Sequence, residues 1–129
     1  MKRTIKSVFI VACMVLCCVL TSCQDNEKLI QGVWRLQGYA QHDPYVYFSD
    51  FSNEVWEFGS NGKLVIKRNG QFYEDWNYSV SGSDLYLSFR DGTTIYSRNY
   101  IIDKLKDDKL SLDIYMLPDS SLFTYEFVR

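Results

Sequence analysis

The chain has 129 residues with 14 basic and 16 acidic side chains, a formal net charge of −2 and an aromatic content of 16%. That length holds one domain, and an acidic balance without a basic stripe argues against a nucleic-acid partner. All 4 cysteines lie at or before residue 23, so the remainder has no disulfide and no thiolate ligand and must rest on its hydrophobic core.

The N-terminus opens with Lys2, Arg3 and Lys6, followed by an apolar run from Val8 to Leu20. The run is short of the ~20 residues that span a bilayer as a helix. A basic start, a short apolar stretch and small residues before a cut site read as a secretory signal. The tetrapeptide Leu20-Thr21-Ser22-Cys23 resembles a bacterial lipobox. The resemblance implies a signal peptide over 1–22, a diacylglyceryl group on Cys23 and attachment to the outer membrane or cell surface of a diderm bacterium. The membrane is then a partner through the N-terminal lipid alone. Removing Lys2, Arg3 and Lys6 makes the mature chain three charges more negative, which disfavours contact between the folded body and an anionic membrane face. Residues 23–31 read as the lipidated cysteine and a polar tether, with a short helical turn expected near Glu27 to Gln31.

From residue 32 to 129 short aromatic and β-branched runs alternate with turn signals. The turns are Gly59-Ser60-Asn61-Gly62, Asn69-Gly70, Ser81-Gly82-Ser83, Asp91-Gly92, Lys106-Asp107-Asp108-Lys109 and Pro118-Asp119-Ser120-Ser121. Spacing of roughly 8–12 residues between such signals indicates an all-β sandwich or barrel. Eight strands are expected, over 33–40, 53–59, 63–68, 72–80, 84–90, 93–104, 109–117 and 121–129. Alternation marks one face of each, as in Leu85, Leu87 and Phe89, or Phe123, Tyr125 and Phe127. The one long connection runs from Gln41 to Ser52 and carries Tyr45, Tyr47, Phe48 and Phe51. Consecutive hairpins favour an eight-stranded antiparallel up-and-down barrel, which closes the sheet on itself.

Gly32-Val33-Trp34 opens the first strand, and the order of the later motifs is distinctive. They are Trp56-Glu57-Phe58 before Asn61-Gly62-Lys63-Leu64, then Tyr78-Ser79-Val80-Ser81-Gly82-Ser83-Asp84-Leu85, then Tyr100-Ile101-Ile102-Asp103-Lys104-Leu105 before Lys109-Leu110-Ser111-Leu112. Together they resemble small bacterial lipocalin-like, calycin-type lipoproteins. That resemblance implies a barrel plugged at one end by Gly32 and Trp34, with Arg129 packing across the Trp34 indole.

An eight-stranded barrel is wide enough either to be filled by side chains or to hold one small ligand. Candidates for the inner lining are Trp56, Phe58, Glu74, Trp76, Tyr78, Phe89, Tyr100 and Tyr125, with Tyr47 and Phe48 folding down from the long connection. Glu74 is expected on one face with Phe72 and Trp76. Arg98 shares parity with Tyr96 and Tyr100, whereas Ile95 and Ile101 support the opposite phase, in which Arg98 faces solvent. His42 is the only histidine. No phosphate loop, His-Glu-x-x-His or mature cysteine nucleophile is present, so the reading is a non-enzymatic protein without cofactor or metal. Two functional classes remain. One is a module that binds a small hydrophobic or amphipathic ligand. The other is a filled barrel serving as an envelope subunit or enzyme inhibitor, its protein partner unknown. If the lipobox reading holds, cells fed an alkyne fatty acid will label the wild-type protein, and Cys23→Ser will remain an unlabelled precursor.

Overall fold

The structure is a computed structural model and describes residues 26–129; the expected signal peptide and Cys23 lie outside them. After one helical turn at 26–29, nine strands follow: β1 (Gly32–Gln41), β2 (Val46–Ser49), β3 (Val55–Phe58), β4 (Lys63–Arg68), β5 (Gln71–Ser81), β6 (Asp84–Asp91), β7 (Thr94–Leu105), β8 (Lys109–Met116) and β9 (Ser121–Val128). Each pairs antiparallel with its neighbour in the order β2-β1-β3-β4-β5-β6-β7-β8-β9, and β1 also pairs with β9. The sheet therefore closes into a barrel of eight strands with β2 as an added piece. One end, here called closed, carries the β3–β4, β5–β6 and β7–β8 turns. The other, the mouth, carries the turns after β1, β4, β6 and β8.

The ninth strand is a difference from the expected eight. Residues 41–52 are not a free lid. β3 covers only Gly32 to Arg35 of β1, which leaves backbone groups of β1 above it in need of partners. β2 takes up Gly38 to Gln41 on that same edge. Asp50 makes the bend between the two pieces. Its backbone N–H donates to the Gln37 carbonyl at 2.9 Å, and its carboxylate accepts from the N–H groups of Ser52 (3.1 Å) and Glu54 (2.7 Å). An aspartate closing a turn onto its own backbone is a standard use of that side chain.

A bulge in β1 sets what faces inward. The pairing with β9 shifts between Leu36 and Gly38, so Leu36 lies opposite Phe127 and Tyr39 opposite Tyr125. Trp34 and Leu36 point inside below the bulge, and Tyr39 does so above it. Alternation read without the bulge would put Tyr39 outside. A second shift in β4–β5 pairs Ile66 with Glu74 but Lys67 with Phe72. Phe72 thus leaves the face expected for it and is 65% exposed. The β6–β7 register runs unbroken from Asp84↔Ile101 to Asp91↔Thr94, so Arg98 stays in phase with Tyr96 and Tyr100. It faces inward and is still solvent-accessible, because it sits in the mouth half.

Fifteen buried side chains between Ile30 and Phe127 form one core, with Trp34, Tyr100, Phe127, Leu64, Leu85, Leu87, Leu110 and Leu112 fully enclosed. Among the described residues the core comes from the barrel and the turn that precedes it, so residues 26–129 carry a hydrophobic core of their own. β5 and β6 pair only from Asn77↔Ser88 down to Ser81↔Asp84. Above that, Gln71–Trp76 and Phe89–Asp91 diverge and leave a slit in the wall.

Gly38 is fixed by close approach. A Cβ there would collide with the Phe48 carbonyl oxygen and lie 2.5 Å from the Tyr47 hydroxyl. Gly38→Val should therefore destabilise the domain by about 1–3 kcal/mol, whereas Gly82→Ala, with nothing within 4 Å of the new Cβ, costs only its local backbone strain. Thermal melts of the two variants check the contrast.

Candidate functional site

The closed end is knotted by one cation. The Arg129 guanidinium carbon lies 4.1 Å from the Trp34 ring centroid. The same side chain donates from Nη1 to the Gln31 carbonyl (2.8 Å), from Nη2 to the Leu29 carbonyl (3.0 Å) and from Nε to the Asp107 carbonyl (2.7 Å). It thereby ties the last residue to the first helical turn, the β1 entry and the β7–β8 turn. Trp34 Nε1 donates to the Ile30 carbonyl at 2.8 Å, which satisfies the buried indole and holds Ile30 as a plug. Gly32 is the third member: a Cβ on it would stand 3.0 Å from Arg129 Nη1. Gly32, Trp34 and Arg129 are thus brought together.

Above this plug the barrel is packed. Trp56 meets Phe127, Tyr100 and Phe58 at centroid distances of 4.9, 5.8 and 6.2 Å. Phe58 and Tyr78 meet edge to face at 5.1 Å, and the Tyr78 hydroxyl donates to the Gly59 carbonyl in a closed-end turn. These two candidate lining residues therefore lie at the closed end, away from the mouth. Trp56, Trp76 and Tyr100 belong to the core beneath the mouth.

The mouth half has a different character. Tyr39 stacks on Phe48 (5.1 Å) and Tyr125 (5.3 Å) and tilts against Phe123 (6.2 Å). Phe48 thus turns into the barrel. Tyr47 does not: the register sets it beside Ala40, over the bare Cα of Gly38, on the outer face. Alternation allows only one of two consecutive strand residues inside. Leu36, Tyr39, Phe51, Glu54, Arg68 and Tyr125 border a half-open cleft of about 410 Å³ beside the β2–β3 bend. Across the interior, Glu74 is half-buried, Phe89 packs on Trp76 at 4.7 Å and on Tyr96 at 4.8 Å, and the Arg98 guanidinium stands 5.1 Å from the Trp76 ring.

Glu54 is a feature that the sequence reading missed. It is buried at 7% exposure beneath the cleft, accepting from Trp56 Nε1 (2.9 Å) and from Arg68 Nε (2.7 Å). A buried carboxylate needs such partners. The Glu54-x-Trp56-x-Phe58 alternation is the signal that marks it as inward. Burial pushes the Tyr125 hydroxyl up to about 12, with Tyr100 and Tyr39 adding to the effect. Burial likewise raises Tyr100, against an opposing pull from Arg98. Both hydroxyls are therefore neutral donors at ordinary pH.

On the outer face, His42 Nε2 lies 2.9 Å from Thr124 Oγ1, and that hydroxyl donates to Asp113 Oδ1 at 2.6 Å. Thr124 has one proton and gives it to Asp113, so the imidazole acts as donor to it and not as base. This triad holds the β1–β2 turn against β8 and β9. Among the described residues no group of three His, Cys, Asp or Glu side chains is placed to hold a metal ion.

A small antiparallel barrel plugged at one end by a Gly-x-Trp and a crossing arginine, and lined with aromatics at the other, is a calycin-type architecture. The family model of the lipocalin-like domain matches residues 30–112, and the chain belongs to that family. No curated protein and no solved structure matches the chain.

Truncating Arg129 to Ala leaves three carbonyls to water and removes the contact on Trp34. It should cost about 1–3 kcal/mol, and Arg129→Lys should recover only part, because one ammonium cannot serve three separated carbonyls over an indole. Denaturant melts of the three proteins give the order wild type, Lys, Ala.

Proposed function

We propose that this is a lipid-anchored envelope lipoprotein whose lipocalin-like barrel takes a small hydrophobic or amphipathic molecule at its mouth. The observation that carries the binding reading is the division of the interior. The closed half is packed with side chains, whereas the mouth half keeps a cleft of about 410 Å³ bordered by Leu36, Tyr39 and Tyr125 and by the Glu54–Arg68 pair. The volume is that of a ligand site, ~300–1,000 Å³, and the border mixes aliphatic and aromatic side chains with Ser49, Asp50, Ser52 and the Glu54–Arg68 pair, a lining that suits an amphipathic molecule. The anchoring reading is supported by Leu20-Thr21-Ser22-Cys23 after a short apolar run, and it places the protein at the outer membrane or cell surface of a diderm bacterium.

A second reading, the filled barrel that docks a protein, is favoured by the rim. Phe51 and Leu117 are 90% and 87% exposed beside the mouth. Isolated apolar residues on a surface are ordinary, but large side chains grouped around one opening suit contact with a partner.

A titration with the neutral apolar fluorophore N-phenyl-1-naphthylamine separates the two. The chain from Gln24 onward should bind it. Phe48→Ser should weaken binding about tenfold or more, because Tyr39, which borders the cleft, loses the ring it stacks on, with little loss of stability. Tyr47→Ser should do the reverse, lowering the melting temperature and leaving affinity unchanged. A wild-type protein that takes up no probe would transfer the assignment to the filled barrel.

A further inference from the structure

The three tryptophans of the barrel end in three different ways. Trp34 Nε1 donates to the Ile30 carbonyl and Trp56 Nε1 to the Glu54 carboxylate. Trp76 is nearly as enclosed, at 4% exposure, yet its Nε1–H has no acceptor among the described residues. A buried donor without a partner costs about as much as the hydrogen bond it forgoes, and native interiors hold few of them. Here the orphan lies in a particular place. Trp76 is on β5 at the point where β5 and β6 part. A shallow opening of about 300 Å³ lies there, bordered by Lys63, Asp75, Asn77, Phe89 and Arg90 with Trp76 itself. From the inner side Arg98 stands over the indole at 5.1 Å.

Charge around the indole is unequal. Lys63 and Arg90 border the opening and Arg98 faces it from β7, against Asp75 at the border and Glu74 from the inner face of β5. Among the described residues no carboxylate lies within ion-pair distance of these three cations; the ion pairs there are Lys67–Glu57 and Arg68–Glu54. The neighbouring Tyr100 hydroxyl, held protonated by burial, offers a further donor. The region therefore presents N–H and O–H groups and unpaired positive charge, and its buried indole lacks only an acceptor. An oxygen anion satisfies all of these at once, and charge-assisted bonds are the stronger kind.

We propose that the opening between β5 and β6 is the headgroup seat of the barrel's ligand, and that it takes a carboxylate, which accepts from Trp76 Nε1 and pairs with Arg98 while its apolar chain runs past Phe89 into the mouth. This rests on the binding reading above and adds to it the chemical class of the ligand. The division of labour follows from the fold. Tyr39, Phe48 and Phe123 supply apolar surface on the β1–β9 side, and the β5–β6–β7 side supplies the polar end. The slit is what brings them together, because paired strands there would shield the indole from any acceptor.

The test compares two ligands with the same tail, sodium dodecanoate and dodecanol, on the chain from Gln24 onward. Three indole N–H signals appear in a ¹H–¹⁵N correlation spectrum. Dodecanoate should move the Trp76 signal strongly downfield and leave those of Trp34 and Trp56, which already have acceptors, nearly in place; Trp76→Phe identifies the signal. Calorimetry should give dodecanoate about tenfold tighter binding than dodecanol. Arg98→Gln should remove that preference without weakening dodecanol, and Glu74→Gln should strengthen dodecanoate alone. Equal affinities with an unmoved Trp76 signal would overturn the headgroup seat while leaving the apolar mouth standing. Binding of neither ligand would overturn both.

Discussion

Strand β1 carries more of this structure than any other, because both of its edges are in use along nearly its whole length. One edge meets β9 and closes the barrel. The other is divided, with β3 on Gly32 to Arg35 and β2 on Gly38 to Gln41. An unpaired backbone edge is costly when buried and a hazard when exposed, so the piece of β1 that β3 does not reach must be covered by something. β2 meets that need, and in doing so converts a long connection into a hairpin. The bulge near Gln37 lets both halves of β1 face the core correctly. Trp34 fills the closed half, Leu36 borders the cleft above it, and Tyr39 opens the aromatic wall of the mouth.

Polar groups in the interior are handled unevenly from bottom to top. At the closed end every demanding group has its partner: Trp34 with Ile30, and Arg129 with three carbonyls. In the middle, the Glu54 carboxylate is taken up by Trp56 and Arg68. Among the described residues, the one buried side-chain donor left open lies on the β5–β6 side. Satisfied networks make a rigid frame. The unsatisfied indole lies where the wall itself is incomplete, so frame and opening occupy different sides of one small barrel.

Much of the fold was legible from alternation and turn residues. Leu85 and Leu87, Leu110 and Leu112, and Phe127 sit inside as their parity requires, and the turns fall where Gly, Asn and Asp mark them. Gly32, Trp34 and Arg129 could be read because Gly32-Val33-Trp34 resembles the opening of lipocalin-like chains and an eight-stranded closure returns Arg129 beside it. Bulges are what period-two reasoning cannot see, because it has no memory of an inserted residue. The one in β5 turns Phe72 off the face expected for it, and the one in β1 turns Tyr39 inward; β6–β7 has none, so Arg98 keeps phase with Tyr96 and Tyr100 and still reaches solvent. Tyr47 and Phe48 were read together as a lid because their pairing with β1 depends on how far β3 extends, which is a property of the assembled sheet. Glu54 and the orphan of Trp76 depend on neighbours distant in sequence, and no local pattern announces them.

The first helical turn is fastened to the plugged end, where Asn26 Nδ2 donates to the Gly82 carbonyl at 3.0 Å and the Leu29 and Gln31 carbonyls take Arg129. Cys23 precedes Asn26 by three residues, which full extension stretches to roughly 10 Å. A lipid carried on that cysteine would therefore hold the barrel plug-down, like a cup standing on its base. The aromatic opening would face the compartment beyond, and traffic through it would come from the water side and not from the bilayer on which the protein stands.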